Sequence, residues 1–315
     1  MLNKIVKTLL ISIFSLVFSY SAAAWDDVGH KTTAYIAWQQ MTPEARERAS
    51  KLLQSAPEDS DLSVFFMQDA RPLELRRLDH FMTAATWADV VRDRNLNVRY
   101  RKYHKSNWHY YDTFWTVENN QIKFIENPNT EGGKALEKLI EFEKVLRDSS
   151  VNDAEKAIAL AWVMHLVGDL HQPLHNSARV TETEPKGDQG GNLFLLTPQG
   201  TPREQQDNLH WFWDSIIVRN IPRGEACDTE YISGVGKRIM KKYPAAKMQN
   251  RIETEFRQWH KEGVELAQTK VFSPALKRFE TPSAAYKKEA MKTSEERIAL
   301  AGYRMGALLN RILGQ

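Results

Sequence analysis

His165 and Asp169 stand four residues apart in a stretch that is apolar almost all round, Trp162-Val163-Met164-His165-Leu166-Val167-Gly168-Asp169. Residues so spaced lie one above the other on a helix face. An ionised carboxylate in such surroundings is costly unless it is paired or bound to a cation. Pro173 stops the helix, because it cannot donate to the preceding turn, and His175 follows in the turn beyond. Two histidines and an aspartate around one helix end point to a metal site. Imidazole and carboxylate suit zinc, and hydrolytic zinc sites keep one position open for water.

Three further places offer the missing ligands. His210 and Asp214 form a second i, i+4 pair, and Asp89 and His109 flank a basic segment from Arg92 to Lys105. Trp25 and His30 follow a leader-like stretch, and a freed α-amino group at Trp25 could chelate a cation together with its own carbonyl. These nine residues comprise five His, three Asp and one Trp. At three protein ligands per ion they would serve about three open-coordinated metals. Each member alone has a plainer reading. An exposed His/Asp pair is more often a surface hydrogen bond, Asp89 a solvated helix residue, and His30 a satisfied surface histidine. The 92–105 run would usually be a solvated face, and Trp25 simply the place where a leader ends. The joint pattern favours metal.

The elements that must position these residues read as helices. A helix near Lys31–Gln40 follows His30, and Thr42 as N-cap with Pro43 at N1 starts another, about Glu44–Gln54. Thr86–Arg92 reads as helical, and Gln121–Ile125 as a short strand. An amphipathic helix after Gly132-Gly133 carries Leu136, Leu139, Ile140, Phe142 and Val145, and Asn152 or Asp153 caps the helix of His165. Residues 180–203 form a long loop broken by a strand at Leu193–Thr197, and loops of that length are usually functional or disordered. Helices near Glu204–Val218, Tyr231–Lys242 and Asn250–Ala267 precede a final one opening on a Thr293–Glu296 capping box. No repeat, heptad array or dividing linker is visible. The fold class expected is mainly α-helical, a single domain with at most a few short strands.

Residues 1–24 differ from the rest. Lys4 and Lys7 form a basic n-region, Leu9 to Phe18 an apolar h-region too short to span a bilayer, and Ala22-Ala23-Ala24 a cleavage site. This reads as a signal peptide, leaving residues 25–315 as the mature chain with Trp25 first, exported to the periplasm or secreted. No later apolar run is long enough for a transmembrane helix. Loss of Lys4 and Lys7 would take the formal charge from +3 to +1, so any affinity for polyanions must be local. Cys227 is the only cysteine, which excludes an intrachain disulfide.

Five motifs now stand in order: Trp25 with His30; Trp87-Ala88-Asp89-Val90-Val91-Arg92; His109-Tyr110-Tyr111-Asp112; His165 through His175; and Asn208-Leu209-His210 to Asp214. Across essentially the whole mature chain they resemble the zinc-dependent single-strand nucleases of the S1/P1 type, relatives of the trinuclear zinc phospholipases C. The resemblance implies three zinc ions. Asp89, His109, His165 and Asp169 would hold one, with Asp169 bridging to a second chelated by the Trp25 amine and carbonyl and by His30. His175, His210 and Asp214 would hold the third. It further implies Arg92 at the phosphate, Tyr110 as a stacking face for a base, and Asp112 hydrogen-bonded to the base edge.

The implied reaction is hydrolysis of single-stranded DNA and RNA to 5′-phosphorylated nucleotides by a hydroxide bridging two metals at Asp169, with 3′-nucleotidase activity on 3′-monophosphates. No stable protein partner is implied. Single strands are favoured because a base must be unstacked before it can stack on Tyr110. The chain departs from fungal and plant members in lacking disulfides and in placing Tyr110 where Phe can stand. The Gly187–Asn192 loop resembles a family Gly-Gly-Asn element but receives no role. Two other readings compete. A zinc phospholipase C shares the His-x3-Asp-x5-His core, but has a longer Trp-to-His gap and a final His/Glu pair. A non-catalytic periplasmic zinc-binding protein would have no use for Arg92 beside a ligand.

Overall fold

The computed structural model describes residues 25–126 and 130–314; the segment read as a signal peptide lies outside them. Asp26 caps the first helix by accepting from Gly29 N, so α1 (Asp27–Gln40) begins before His30 and includes it. Thr42 caps α2 (Pro43–Gln54) with Pro43 in its first turn. A helix not read from the sequence, α3 (Leu73–Ala84), leads to the short α4 (Trp87–Val90) and to α5 (Asn97–Tyr103). The expected strand forms as β2 (Gln121–Phe124) and pairs antiparallel with β1 (Thr113–Glu118). After α6 (Ala135–Arg147) comes α7 (Asp153–Asp169), capped by the Asn152 side chain on Glu155 N. Then β3 (Ser177–Arg179) joins β1 in parallel, giving the strand order β2-β1-β3.

The later helices are α8 (Leu209–Asp214), α9 (Ile216–Asn220), α10 (Asp228–Lys242), α11 (Gln249–Ile252), α12 (Phe256–Leu266) and α13 (Ala284–Leu313). The molecule is mainly helical. One continuous core runs from Trp25 to Leu313, with α7 buried on nearly every face from Ala157 to Asp169. That is why its sequence lacks a polar stripe. Among the described residues no helix is long and apolar enough to cross a membrane. Cys227 is a free, exposed thiol.

Four expectations are corrected. No strand forms at Leu193–Thr197; Leu195 makes only an isolated bridge to Asn208, and its carbonyl accepts from Phe279 N. The helix expected over Glu204–Val218 is broken, because the Asn208 side chain caps Trp211 N and restarts the chain as α8. The one expected over Asn250–Ala267 divides into α11 and α12, the latter running on into a π turn over Ala267–Val271. The last helix opens ten residues before Thr293, at the Ser283 cap on Tyr286 N. Thr293 is buried in its interior, so the Thr/Glu spacing there has no helix end to serve.

Candidate metal centre

The C-terminal turn of α7 presents His165 and Asp169 toward α1, α4 and the segment entering β1. There it meets His30, Asp89 and His109. His165, Asp169 and His30 form one group of potential ligand atoms, and Asp89, His109 and His165 another. Beyond the turn at Pro173, His175 meets His210 and Asp214 of α8 in a third. Within each group the atoms lie within 4.8 Å of one another. Eight of the nine residues expected as ligands are therefore gathered in three groups. Trp25 is fully buried beside Gly29, one residue from His30.

The hydrogen bonds say which ring atoms are offered. His165 Nδ1 donates to Ala85 O at 2.9 Å, His175 Nδ1 to His109 O at 2.6 Å, and His210 Nδ1 to Gly190 O at 2.7 Å. A carbonyl only accepts, so each neutral ring carries its proton on Nδ1 and bares a lone pair at Nε2. Yet His175 Nε2 and His210 Nε2 face each other at 3.1 Å, with Asp214 Oδ2 3.2 Å from the latter. Three electron-rich atoms turned inward fit a cation between them. Backbone partners fixing imidazole tautomers are the usual outer support of such ligands.

Asp169 has the arrangement of a bridge. Its Oδ1 lies 3.4 Å from His30 Nε2, while Oδ2 lies 3.4 Å from His165 Nε2 and 3.5 Å from His109 Nδ1. Both oxygens are buried without a hydrogen-bond partner, as are both nitrogens of His30. Asp89 Oδ1 stands 3.8 Å from His109 and from His165. Burial drives Asp169 well above the usual carboxylate range, with Asp89 adding to it. Burial likewise drives His30, His109 and His175 well below the usual imidazole range, with the neighbouring imidazoles and Arg92 adding to it. Neutral imidazoles are the form that ligates a metal, and a bound divalent ion would reverse the pressure on the carboxylate. The donor set, its orphaned atoms and its tautomers all fit zinc.

A cleft of about 300 Å³ opens beside the third group, lined by Arg92, Tyr110, Asp112, His175, Asn192 and His210 among others. Arg92 leans back on Asp89, Nε to Oδ1 at 3.2 Å, so one residue joins the cleft to the ligand cluster. Burial and the facing Asp188 push Asp112 well above its ordinary range, and its Oδ1 has no partner. A carboxyl so placed is suited to a hydrogen bond with whatever fills the cleft.

Several contributors were not assigned from the sequence. Gly190, in the loop left without a role, has φ +59° and supplies the carbonyl that orients His210. Gln172 is fully buried; its Nε2 donates to Asp214 Oδ1 at 2.6 Å and its Oε1 accepts from Leu174 N. Its place inside the His165–His175 motif was the available signal. His171 turns away from the cluster, donating to Val167 O and accepting from Arg304. In the basic segment Arg99 pairs with Asp61 at 2.5 Å and Lys102 with Asp59 at 2.6 Å. Two of the six cations of that segment are thus neutralised by the loop before α3.

A family model described as S1/P1 Nuclease matches residues 25–314. Nuclease S1 of Aspergillus oryzae is 24% identical over 336 aligned residues, covering 98% of this chain and 99% of its own. Nuclease P1 of Penicillium citrinum is 26% identical over 206 residues, 64% of this chain and 61% of its own length. Endonuclease 3 of Arabidopsis thaliana is 24% identical over 308 residues, 92% of this chain and 90% of its own.

Proposed function

The chain belongs to the S1/P1 nuclease family, and from that premise we propose that it hydrolyses the phosphodiester bonds of single-stranded DNA and RNA to 5′-phosphorylated products, and releases phosphate from 3′-nucleotides. The observation that carries this reading is the inward-facing set His175 Nε2, His210 Nε2 and Asp214 Oδ2, whose two histidines stand on the wall of the cleft that also holds Arg92 and Tyr110 while Asp214 is buried behind them.

In this reading His175, His210 and Asp214 hold one zinc. Asp89, His109, His165 and Asp169 hold a second, and Asp169, His30 and the amine and carbonyl of Trp25 a third. Three zinc ions there supply positive charge for the phosphate oxygens and a nucleophile ionised near neutral pH. The protein's own groups do the rest. Arg92, braced by Asp89, places a fixed positive charge on the equatorial phosphate oxygens. Tyr110 offers a ring face to one base and Asp112 a hydrogen bond to its edge. A base can reach Tyr110 only after leaving its neighbours, which selects single strands over duplexes. We further propose that residues 25–315 form one catalytic domain, released by cleavage after Ala24 and exported. Among the described residues no membrane-crossing helix opposes this.

Incubating the zinc-loaded protein separately with single-stranded DNA, RNA and phosphatidylcholine tests the reading. Cleavage of the nucleic acids with 5′-phosphate ends is expected. Lipid cleavage without nucleic-acid cleavage would overturn it in favour of a phospholipase. Absence of turnover on all three would leave a zinc-binding protein without catalysis.

A further inference from the structure

The basic segment that follows Arg92 has two faces. Arg99, Lys102 and Tyr103 turn toward the loop before α3, where Asp61 forms an ion pair with Arg99 and Asp59 accepts from Lys102 and from the Tyr103 hydroxyl at 2.6 Å. These contacts pin α5 to the body of the protein. Tyr100 and His104, i and i+4, fall on a different face of the same turn. Their rings stack at 4.8 Å with an interplanar angle of 18°, and the Arg94 guanidinium lies 5.8 Å from the Tyr100 centroid. Both rings are partly exposed and Arg94 is exposed.

This ladder stands next to the cleft. The segment begins at Arg92, and Ser106 directly follows His104 and Lys105 at its end; Arg92 and Ser106 both line the cleft wall. A strand whose phosphate lies at Arg92 therefore meets, one step beyond the cleft, an aromatic stack flanked by cations. A positively charged track with aromatic side chains is the general means of holding single strands without reading their sequence.

We propose that Tyr100 and His104, with Arg94 and Lys105, form an outer nucleotide subsite that holds the residue adjoining the one in the cleft. The proposal rests on the nuclease reading above and extends it to the length of substrate recognised. The base stacks on the Tyr100–His104 pair, and Arg94, held among the described residues only through the ring, moves to the phosphate of the same nucleotide. Arg99 and Lys102 take no part, because their charges are already met by Asp61 and Asp59. The recognition is of stacking and charge, so it is indifferent to base identity.

The test compares two substrates of the zinc-loaded protein, hexathymidylate and thymidine 3′-phosphate, of which only the first reaches the outer subsite. Tyr100→Ala is expected to lower the ratio of kcat/KM for hexamer over mononucleotide about tenfold, mostly through KM for the hexamer. Tyr100→Phe keeps the ring and should restore the ratio, while Arg94→Ala should lower it less. The pins at Asp59 and Asp61 remain in every variant, so α5 stays attached. An unchanged ratio in Tyr100→Ala, or equal losses on both substrates, would overturn the subsite while leaving the nuclease reading intact. Failure of the wild-type protein to cleave the hexamer at all would overturn both.

Discussion

Gly168 lies flat against the imidazole of His30. A Cβ placed on Gly168 would come within 2.6 Å of His30 Nδ1 and 2.8 Å of Cε1. The last turn of α7 thereby meets α1 at ring-contact distance, and His30 Nε2 comes to 3.4 Å from Asp169 Oδ1. This closeness, set by the lack of a side chain at one position, is what brings the N-terminal helix into the ligand cluster.

Gly168→Ala should therefore push the His30 ring away from Asp169. Alanine is the better helix former by about 1 kcal/mol, so α7 itself should persist and the circular dichroism spectrum should be unchanged. The expected outcome is one zinc fewer per chain, measured by elemental mass spectrometry after dialysis. A variant that keeps the same zinc content and affinity as the wild type would show that His30 does not depend on this contact.

Gln172 sets how Asp214 presents itself. Its amide occupies Oδ1 and leaves Oδ2, which has no hydrogen-bond partner, directed at His210. One oxygen is thus committed to the protein and one to the ligand group. Gln172→Leu removes the donor at similar volume, freeing the carboxylate to rotate. Loss of such outer support costs about 10–100-fold in metal affinity, so one of the bound zincs should become that much easier to remove by a competing chelator. Three zincs withdrawn with wild-type affinities would refute the role.

How much of this was legible depends on whether side chains or backbone carry the information. His165 and Asp169 could be read because residue type and helical spacing alone bring them together, and the 210/214 pair for the same reason, whereas His175 lies past the end of α7 and joins the 210/214 pair instead. The supports were not legible. Ala85, His109 and Gly190 act through carbonyl oxygens, which every residue has. The charge run at 92–105 looked uniform because its neutralising partners, Asp59 and Asp61, lie some forty residues earlier in the chain. Helix ends misled where a local pattern had a tertiary competitor. Thr293 and Glu296 imitate a cap inside α13, and Asn208 breaks a run of helix formers because its side chain satisfies Trp211 N.

His260 gives the fold a pH dependence of definite sign. Its Nδ1 donates to Asn176 Oδ1 at 3.1 Å, since the Asn176 amide nitrogen is already donating to Leu170 O and Gln172 O, and its Nε2 is 2.9 Å from the Thr113 hydroxyl. Burial, with Lys261 adding to it, lowers its pKa to about 4. Between the unfolded value near 6.5 and this one, the unfolded chain binds the extra proton. Stability is then full above about pH 6.5 and falls as the pH is lowered toward 4, by about 3 kcal/mol for this one group. Asp188, which burial raises to about 6, acts with the opposite sign over part of that range, so the comparison must be with a variant. His260→Gln keeps a hydrogen-bonding side chain without a titrating ring. In urea unfolding it should lose less stability than the wild type between pH 6.5 and 4; parallel curves would exclude His260 as the source.

The last prediction concerns where the chain must begin. Trp25 is wholly buried, Asp26 N donates to Asp214 O at 3.2 Å, and Asp26 Oδ1 accepts from Gly29 N at 2.9 Å. Asp26, the second residue of the proposed mature chain, is thus tied to the third ligand group on one side and to the start of α1 on the other. An amine at Trp25 has a lone pair for a cation, whereas the nitrogen of a peptide bond has lost its lone pair to resonance. Protein beginning at Trp25 should therefore bind one more zinc than protein beginning at Ala24, and should be much the more active. The two differ by a single alanine, so folding and charge are otherwise matched. Equal zinc content and equal rates would remove the Trp25 amine from the ligand set and leave His30 and Asp169 to hold that ion without it.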